Sequence, residues 1–560
     1  MPGNRRSTGG ERQNRPVYLN ATYCVRTLVV HNGRIGLNGR GAALTLQPEW
    51  AEPVTPQEEQ GKTMFGQAKD LTRGTPLKQI LLFTIPLLIG NIFQQFYNMA
   101  DMMIVGRTIN TTALAAIGAT GAIAFLVVGV SFGLTSGFTV VTAQRYGAND
   151  HDGVRSSVAT SIVLSLTISV VVTVLSVSTV YPLFELMKTP ADIIDDSYRY
   201  IVVIYAGTIA TVFFNLFSGI LRALGDSLTP LLFLIVACIV NIVLDYVFIV
   251  NFGMGVAGAG WATIIAQALS VVMCLIYSLK RFPILHLRRQ DWRMSWDFTR
   301  QHLTIGLSMA AQMAIIAVSV IFLQVAINEL GTDSVKAFSA AVKIDQLATQ
   351  PLFSLGVAMA TFAAQNYGAR KIKRIREAAR QGVFISIAMG VLGCAAMILA
   401  GRWLLSLFGI DANEPDVVRE AQQYLNITSG FYFMLGLLFV FRNILQGMGK
   451  NTMPMASAAA EIAVRIVGTF GFAKWWGFLG ICLVNPLTWA AAVAMLVIGY
   501  FMAMRDLRFD ERAGYESVVL NYDAQAKFGS LSESVPSASV RIKLEQPTPQ
   551  EQTSSSVRIL

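Results

Sequence analysis

Residues 143–148 read Ala143-Gln144-Arg145-Tyr146-Gly147-Ala148, and 221 positions later residues 364–369 read Ala364-Gln365-Asn366-Tyr367-Gly368-Ala369. The match extends outward. Arg155 keeps the same offset to Arg376, and Leu221, Gly225 and Pro230 align with Leu445, Gly449 and Pro454. Separate matches that share nearly one offset mark an internal repeat. Each copy is embedded in apolar runs, so the repeated unit is a set of membrane-length helices. A half with six crossings ends on the side where it began, so the two halves keep one orientation and are related by a pseudo-two-fold axis along the membrane normal.

Composition agrees. Of 560 residues, 53% are hydrophobic and 14% charged, whereas soluble domains run about 45–50% apolar and about 25% charged. Mean hydropathy is +0.51. Twelve apolar runs reach the ~20 residues that a helix needs to cross ~30 Å of hydrocarbon. They cover 80–104, 113–143, 156–180, 193–222, 229–250 and 256–280, then 302–328, 335–365, 377–401, 417–445, 453–473 and 478–504. The expected fold is therefore all-α and integral to the membrane: twelve transmembrane helices in two six-helix bundles. The expected organisation is a disordered cytoplasmic arm 1–75, a first lobe 76–280, a cytoplasmic loop 281–301, a second lobe 302–505 and a disordered cytoplasmic tail 506–560. Met64 is a plausible true start, and no signal peptide precedes the first run.

Loop charges set the orientation. Arg145, Arg155, Arg222, Lys280, Arg281, Arg288, Arg289, Arg370, Lys371, Lys373, Arg374, Arg442 and Lys450 fall on one side together with both termini. The other side carries acids such as Glu185, Asp195, Asp196, Glu329, Asp333, Asp411 and Glu414. The positive-inside bias places both ends in the cytoplasm of a plasma-membrane protein. The net charge of +10 is then topology, not a nucleic-acid footprint. Five scattered cysteines without a CxxC pair, and four unclustered histidines, point away from a disulfide framework or a metal centre. There is no Walker A motif. Gly147 and Gly368 read instead as helix C-terminal caps.

A charge inside the bilayer costs about 2.5–3.5 kcal/mol on insertion scales, so an intramembrane acid needs a reason. Asp101 lies late in the first run and Asp245 well inside the fifth, with Asn241 one turn earlier on the same face. Carboxylate and amide oxygens suit a hard cation such as Na⁺, and two carboxylates brought together favour a shared proton. The plainer readings are an acid snorkelling at the interface for Asp101, and an interhelical hydrogen bond for Asn241 and Asp245. In the second half Asp245 aligns with Thr469 and Asn241 with Arg465. There, Lys343 and Asp345 lie in the eighth run, and Glu461 and Arg465 share a face of the eleventh. These are either charge-neutralising pairs or part of a cargo-sensing wall.

With the doublet AQRYGA/AQNYGA, the run NMADMMIVGR, the phrase NIVLDYVFI and the pair LRALGDSLTP/LQGMGKNTMP, residues 75–505 resemble multidrug and toxic compound extrusion (MATE) transporters, DinF-like and MepA-like bacterial members above all. The resemblance implies export of organic cations and drugs by antiport with H⁺ or Na⁺, by rocking of the two lobes about a mid-membrane cavity. It implies no cofactor beyond the coupling ion, and neither enzymatic activity nor a nucleic-acid partner; we expect a monomer in the lipid bilayer. It also implies a first-lobe cation or proton site at Asp101, Asn241, Asp245 and Thr263, with Pro86 and Tyr97 in the same network. A Na⁺ site of the NorM kind needs acids in the seventh and tenth runs; the seventh offers Gln312 and Gln324 but no mid-helix acid. Gln94, Phe132 and Gln346 are candidate cavity residues. A lipid-linked oligosaccharide flippase of the same superfamily is the alternative; it needs a strongly cationic cavity, and only Lys343 and Arg465 are available. A prenyl or glycosyl transferase needs aspartate-rich motifs, and Asp195-Asp196 is the one adjacent pair.

Overall fold

The computed structural model describes residues 70–109, 111–187, 189–407 and 414–516, with short strand segments at 25–31, 34–42, 518–519 and 541–542. The remainder of the arm and tail, Met64 and Asp411 lie outside the described residues. Residues 1–64 form a unit apart from 65–560. In it Val25–His31 pairs antiparallel with Arg34–Ala42.

Among the described residues of 65–560 are fourteen α-helices. The first lobe has α1 (Pro76–Thr108), α2 (Thr111–Gly147), α3 (His151–Leu186), α4 (Ile194–Ala206), α5 (Thr208–Ala223), α6 (Leu228–Tyr246) and α7 (Gly255–Arg281). The second has α8 (Trp296–Asn328), α9 (Thr332–Gly368), α10 (Ile372–Leu407), α11 (Pro415–Ser429), α12 (Tyr432–Gly447), α13 (Thr452–Trp476) and α14 (Phe478–Glu516). Ten of these helices are long and apolar enough to cross a membrane, and two bent pairs bring the total to twelve.

Those pairs correct one expectation. The fourth and tenth runs are not single helices: α4 meets α5, and α11 meets α12, at a 47° bend. The breaks fall at Gly207 and at Gly430, residues with poor helix propensity. At Gly207 a methyl group would stand 2.1 Å from Ile264 Cδ1 of α7.

The matched loops before α6 and α13 share one construction. Gly225 (φ +90°) and Gly449 (φ +75°) occupy the left-handed region, which favours glycine. After Gly225, Asp226 accepts from the Thr229 N–H at 3.0 Å and from its hydroxyl at 2.6 Å, tying down the start of α6. Past Asp245 and Tyr246, α6 widens into a π-helical turn, Val247–Asn251, a distortion frequent at functional sites.

Three boundaries differ from the sequence reading. Residues 70–75 pack on the second lobe: Leu71 is buried and its N–H donates to Gln365 Oε1 at 3.0 Å, while its carbonyl accepts from Asn366 Nδ2 at 3.2 Å. The loop 281–301 folds beneath the first lobe, burying Phe282 and Leu285 against Val154, Val158 and Leu216, and Asp291 pairs with Arg155 at 3.4 Å. Helix α14 continues to Glu516, eleven residues into the expected tail.

α1 belongs to both lobes. Ile80 and Phe83 lie in the second lobe's core, with Leu355, Met359 and Phe362 of α9. Asp101, five turns further on, faces α6. Between these two stretches stands Pro86, which cannot donate to the helix ladder.

Candidate functional site

In the first lobe, α1, α6 and α7 bring five of the expected residues together. Asp101 is 6% exposed, and Asn241 and Asp245 are wholly buried. With the Asn241 amide turned so that its nitrogen faces the carboxylate and its oxygen the N–H, it donates to Asp245 Oδ2 at 3.1 Å and accepts from the Thr263 N–H at 3.2 Å, which ties α6 to α7. The Asp101 and Asp245 carboxyls adjoin each other, and the Tyr97 side chain adjoins both of them and Thr263. Among the described residues, four buried oxygens here have no hydrogen-bond partner: Tyr97 OH, Asp101 Oδ1, Asp245 Oδ1 and Thr263 Oγ1. Unsatisfied polar atoms in a dry interior cost about 1–3 kcal/mol each. A cluster of them around two carboxyls is the donor set for a proton or a small hard cation. Pro86 is the exception. It stands eleven residues before Tyr97, ~16 Å along the helix, and does not reach the cluster. Tyr200 of α4, which the sequence did not single out, lies beside Tyr97 and both aspartates.

In the second lobe the expected pairing is replaced by another. Glu461 binds Arg442 of α12, not Arg465, and both partners are buried. Arg442 also donates to Ser457 Oγ at 3.3 Å. Arg465 points into the same interior without an ion pair among the described residues. Asp345 accepts from the Tyr432 hydroxyl at 2.7 Å. Lys343 is exposed on α9 and makes no salt bridge with a described residue. Arg442, expected among the basic loop charges, is instead buried within α12; Tyr432 carried no signal in the sequence, because its partner sits on a distant helix.

The seam between the lobes runs along α2 and α8. A methyl on Gly137 would stand 2.5 Å from Gly306 Cα, one on Gly306 would stand 2.5 Å from the Phe138 ring, and one on Gly133 would stand 2.7 Å from the Met309 carbonyl oxygen. Such small-residue faces let membrane helices approach backbone to backbone. Nearer the end that carries the basic loops, the repeat doublet closes the seam. Gln144 Nε2 donates to the Gly447 carbonyl at 2.8 Å, and Gln365 Nε2 to the Ala223 carbonyl at 2.8 Å. His302 of α8 enters the first lobe, its Nε2 2.8 Å from Ser157 Oγ, which is in turn 2.8 Å from Thr142 Oγ1. Arg145 covers the Phe298 ring at 5.2 Å. Further along α1, Asn91 Nδ2 donates to Ser354 Oγ of α9 at 2.9 Å.

This corrects the capping role expected for Gly147 and Gly368. Neither has a positive φ; the left-handed residues are Asn149 and Arg370, both at φ 56°. The glycines are required by contact instead. A methyl on Gly147 would stand 1.9 Å from the Gln365 carbonyl oxygen, and one on Gly368 would stand 1.8 Å from that of Gln144.

Of the candidate cavity residues, Phe132 reaches the other lobe, with its ring 6.3 Å from Phe353, which lies 5.7 Å from Phe439. Gln94 is half-buried, 3.5 Å from Asn98 Oδ1, and Gln346 is exposed on α9. Phe353 and Phe439 were not distinguishable in sequence from the other phenylalanines.

Two like helical lobes, each of six spans, with a buried carboxylate cluster in one and a glycine-packed seam between them, are the build of a membrane transporter. The chain belongs to the MATE family (MatE), which it matches twice, over residues 86–247 and 308–470. It is 30% identical over 422 residues to the probable multidrug resistance protein YpnP of Bacillus subtilis, covering 74% of this chain and 93% of that one. It is 24% identical over 415 residues to the probable multidrug resistance protein NorM of Thermotoga maritima, covering 72% and 87%. Among solved structures, the outward-facing conformation of a multidrug resistance MATE family transporter of the MOP superfamily superimposes with a TM-score of 0.74 at 24% identity, over 79% of this chain and 99% of that one. That likeness is one of fold.

Proposed function

We propose that this protein is a secondary-active multidrug exporter of the plasma membrane, with both termini in the cytoplasm, which expels cationic amphiphiles in exchange for H⁺ or Na⁺. The observation that carries the reading is the buried Asp101–Asp245 pair, in which one oxygen of each carboxyl is uncommitted among the described residues, as are the neighbouring hydroxyls of Tyr97 and Thr263. Two adjacent carboxylates repel, and a bound proton or cation relieves that repulsion. The ion therefore draws α1 toward α6, and its loss lets them part. Because the first turns of α1 are packed in the second lobe, a shift of its later turns is felt across the seam. Pro86 is the point at which α1 can bend. Exchange follows if ion and cargo are accommodated in different arrangements of the lobes.

The test uses everted membrane vesicles and a fluorescent organic cation, with a pH gradient and a Na⁺ gradient imposed separately. One of the two gradients is expected to drive uptake into the vesicles. Uptake that ignores both and follows ATP would refute the antiport reading.

A further inference from the structure

Arg465 occupies in the second lobe the place that Asn241 holds in the first, and Thr469, one turn on, the place of Asp245. The side chain is 8% exposed. It makes no hydrogen bond or ion pair with any described residue, and its Nε is sealed off without a partner. Two hydroxyls of this interior, Thr469 Oγ1 and Thr428 Oγ1, are in the same condition. Tyr424 lies beside both the guanidinium and Thr428. Its oxygen accepts from Asn485 Nδ2 at 3.0 Å, which leaves its own proton to donate.

The acids that could neutralise Arg465 are committed elsewhere. Glu461, one turn earlier on the same face, is held by Arg442. Asp345 is engaged by Tyr432 and forms no ion pair with Arg465. A cation buried at bilayer depth without a counter-charge is strongly disfavoured. What surrounds this one can supply donors: one guanidinium and the hydroxyls of Thr428, Thr469 and Tyr424. That chemistry is the inverse of the carboxyl cluster in the mirror position.

We propose that the second lobe holds an anion site, in which Arg465, helped by these hydroxyls, binds a single small negative charge. That charge is either a free halide or the carboxylate of a zwitterionic cargo. The site does not rest on the coupling-ion reading, which can stand if this one fails.

The test titrates the purified full-length protein in detergent with sodium chloride and, separately, sodium acetate, while a bulky sulfonate salt holds the ionic strength constant. The melting temperature is read throughout. We expect a saturable rise of about 3 °C or more, kept in Arg465→Lys and lost in Arg465→Gln. Chloride acting alone assigns a free halide; acetate acting as well assigns the carboxylate of cargo. Flat titrations with both salts, or a rise unchanged in Arg465→Gln, would overturn the site. If Arg465→Gln does not give monodisperse protein, Thr469→Val and Thr428→Val, which remove only hydroxyls, should weaken the apparent affinity about 5-fold or more. Unchanged affinity in both overturns the proposal. Asp245→Asn, in the other lobe, should keep the full rise, and its loss there would also count against a second-lobe site.

Discussion

Gln144 and Gln365 stand at equivalent places in the repeat and make the same bond in opposite directions. Gln144 in the first lobe donates to the Gly447 carbonyl of the second, and Gln365 in the second donates to the Ala223 carbonyl of the first, each at 2.8 Å. The six-residue doublet is thus a reciprocal clasp across the pseudo-two-fold axis. Beside it each doublet glycine touches the backbone of the opposite glutamine.

The clasp gives the first prediction. Gly147→Ala or Gly368→Ala places a methyl inside the facing backbone, and overpacking of this kind costs about 1–3 kcal/mol. Either change should shift the equilibrium toward a parted basic-loop end by roughly 5–150-fold. Spin labels at the exposed His151 and Arg370, one per lobe, should report longer distances. A distance distribution identical to that of the parent protein would show that the glycines do not hold the seam.

His302 should act in the same direction. The Phe298 carbonyl can only accept, so Nδ1 carries a proton, and Nε2 shares a hydrogen bond with Ser157 Oγ. The imidazole thus bridges the lobes. His302→Ala removes that bridge and leaves a gap beside Phe138, whose ring is 6.2 Å away. Closure of the basic-loop end should weaken by about 1–3 kcal/mol, read with the same label pair. Full closure in the variant would place His302 among residues that merely fill space.

The pair in the second lobe should behave as a buried ion pair. Removing one partner strands a charge and costs about 3–5 kcal/mol, whereas replacing both with apolar residues of similar size is nearly neutral. Arg442→Gln and Glu461→Gln should each lower the melting temperature of the solubilised protein, and Arg442→Met with Glu461→Leu should recover most of the loss. Equal losses in the single and double variants would mean that the two residues are not coupled.

Much of the architecture was legible because it rests on periodicity and burial. Twelve apolar runs, the repeat and the loop charges are properties of local sequence. The bends at Gly207 and Gly430 were not, since glycine is common in membrane helices and only the approach of Ile264 marks the first as a break. The first-lobe cluster was readable because an acid at bilayer depth is conspicuous, and Asn241 and Asp245 stand one turn apart. The second-lobe pairing was misread for the converse reason. Spacing put Glu461 beside Arg465, while Arg442, 19 residues away on another helix, won the contact. The clasp was visible as a motif, but its role was not, because nothing in AQRYGA shows which backbone lies opposite.

The central claim is that Asp101 and Asp245 together carry the coupling ion. The most direct measurement reconstitutes the parent protein, Asp101→Asn and Asp245→Asn in proteoliposomes, and follows cargo accumulation under the gradient that drives the parent alongside gradient-independent cargo binding. Accumulation should vanish in both variants while cargo still binds and the protein stays monodisperse. Accumulation at the parent level in either variant would contradict the claim.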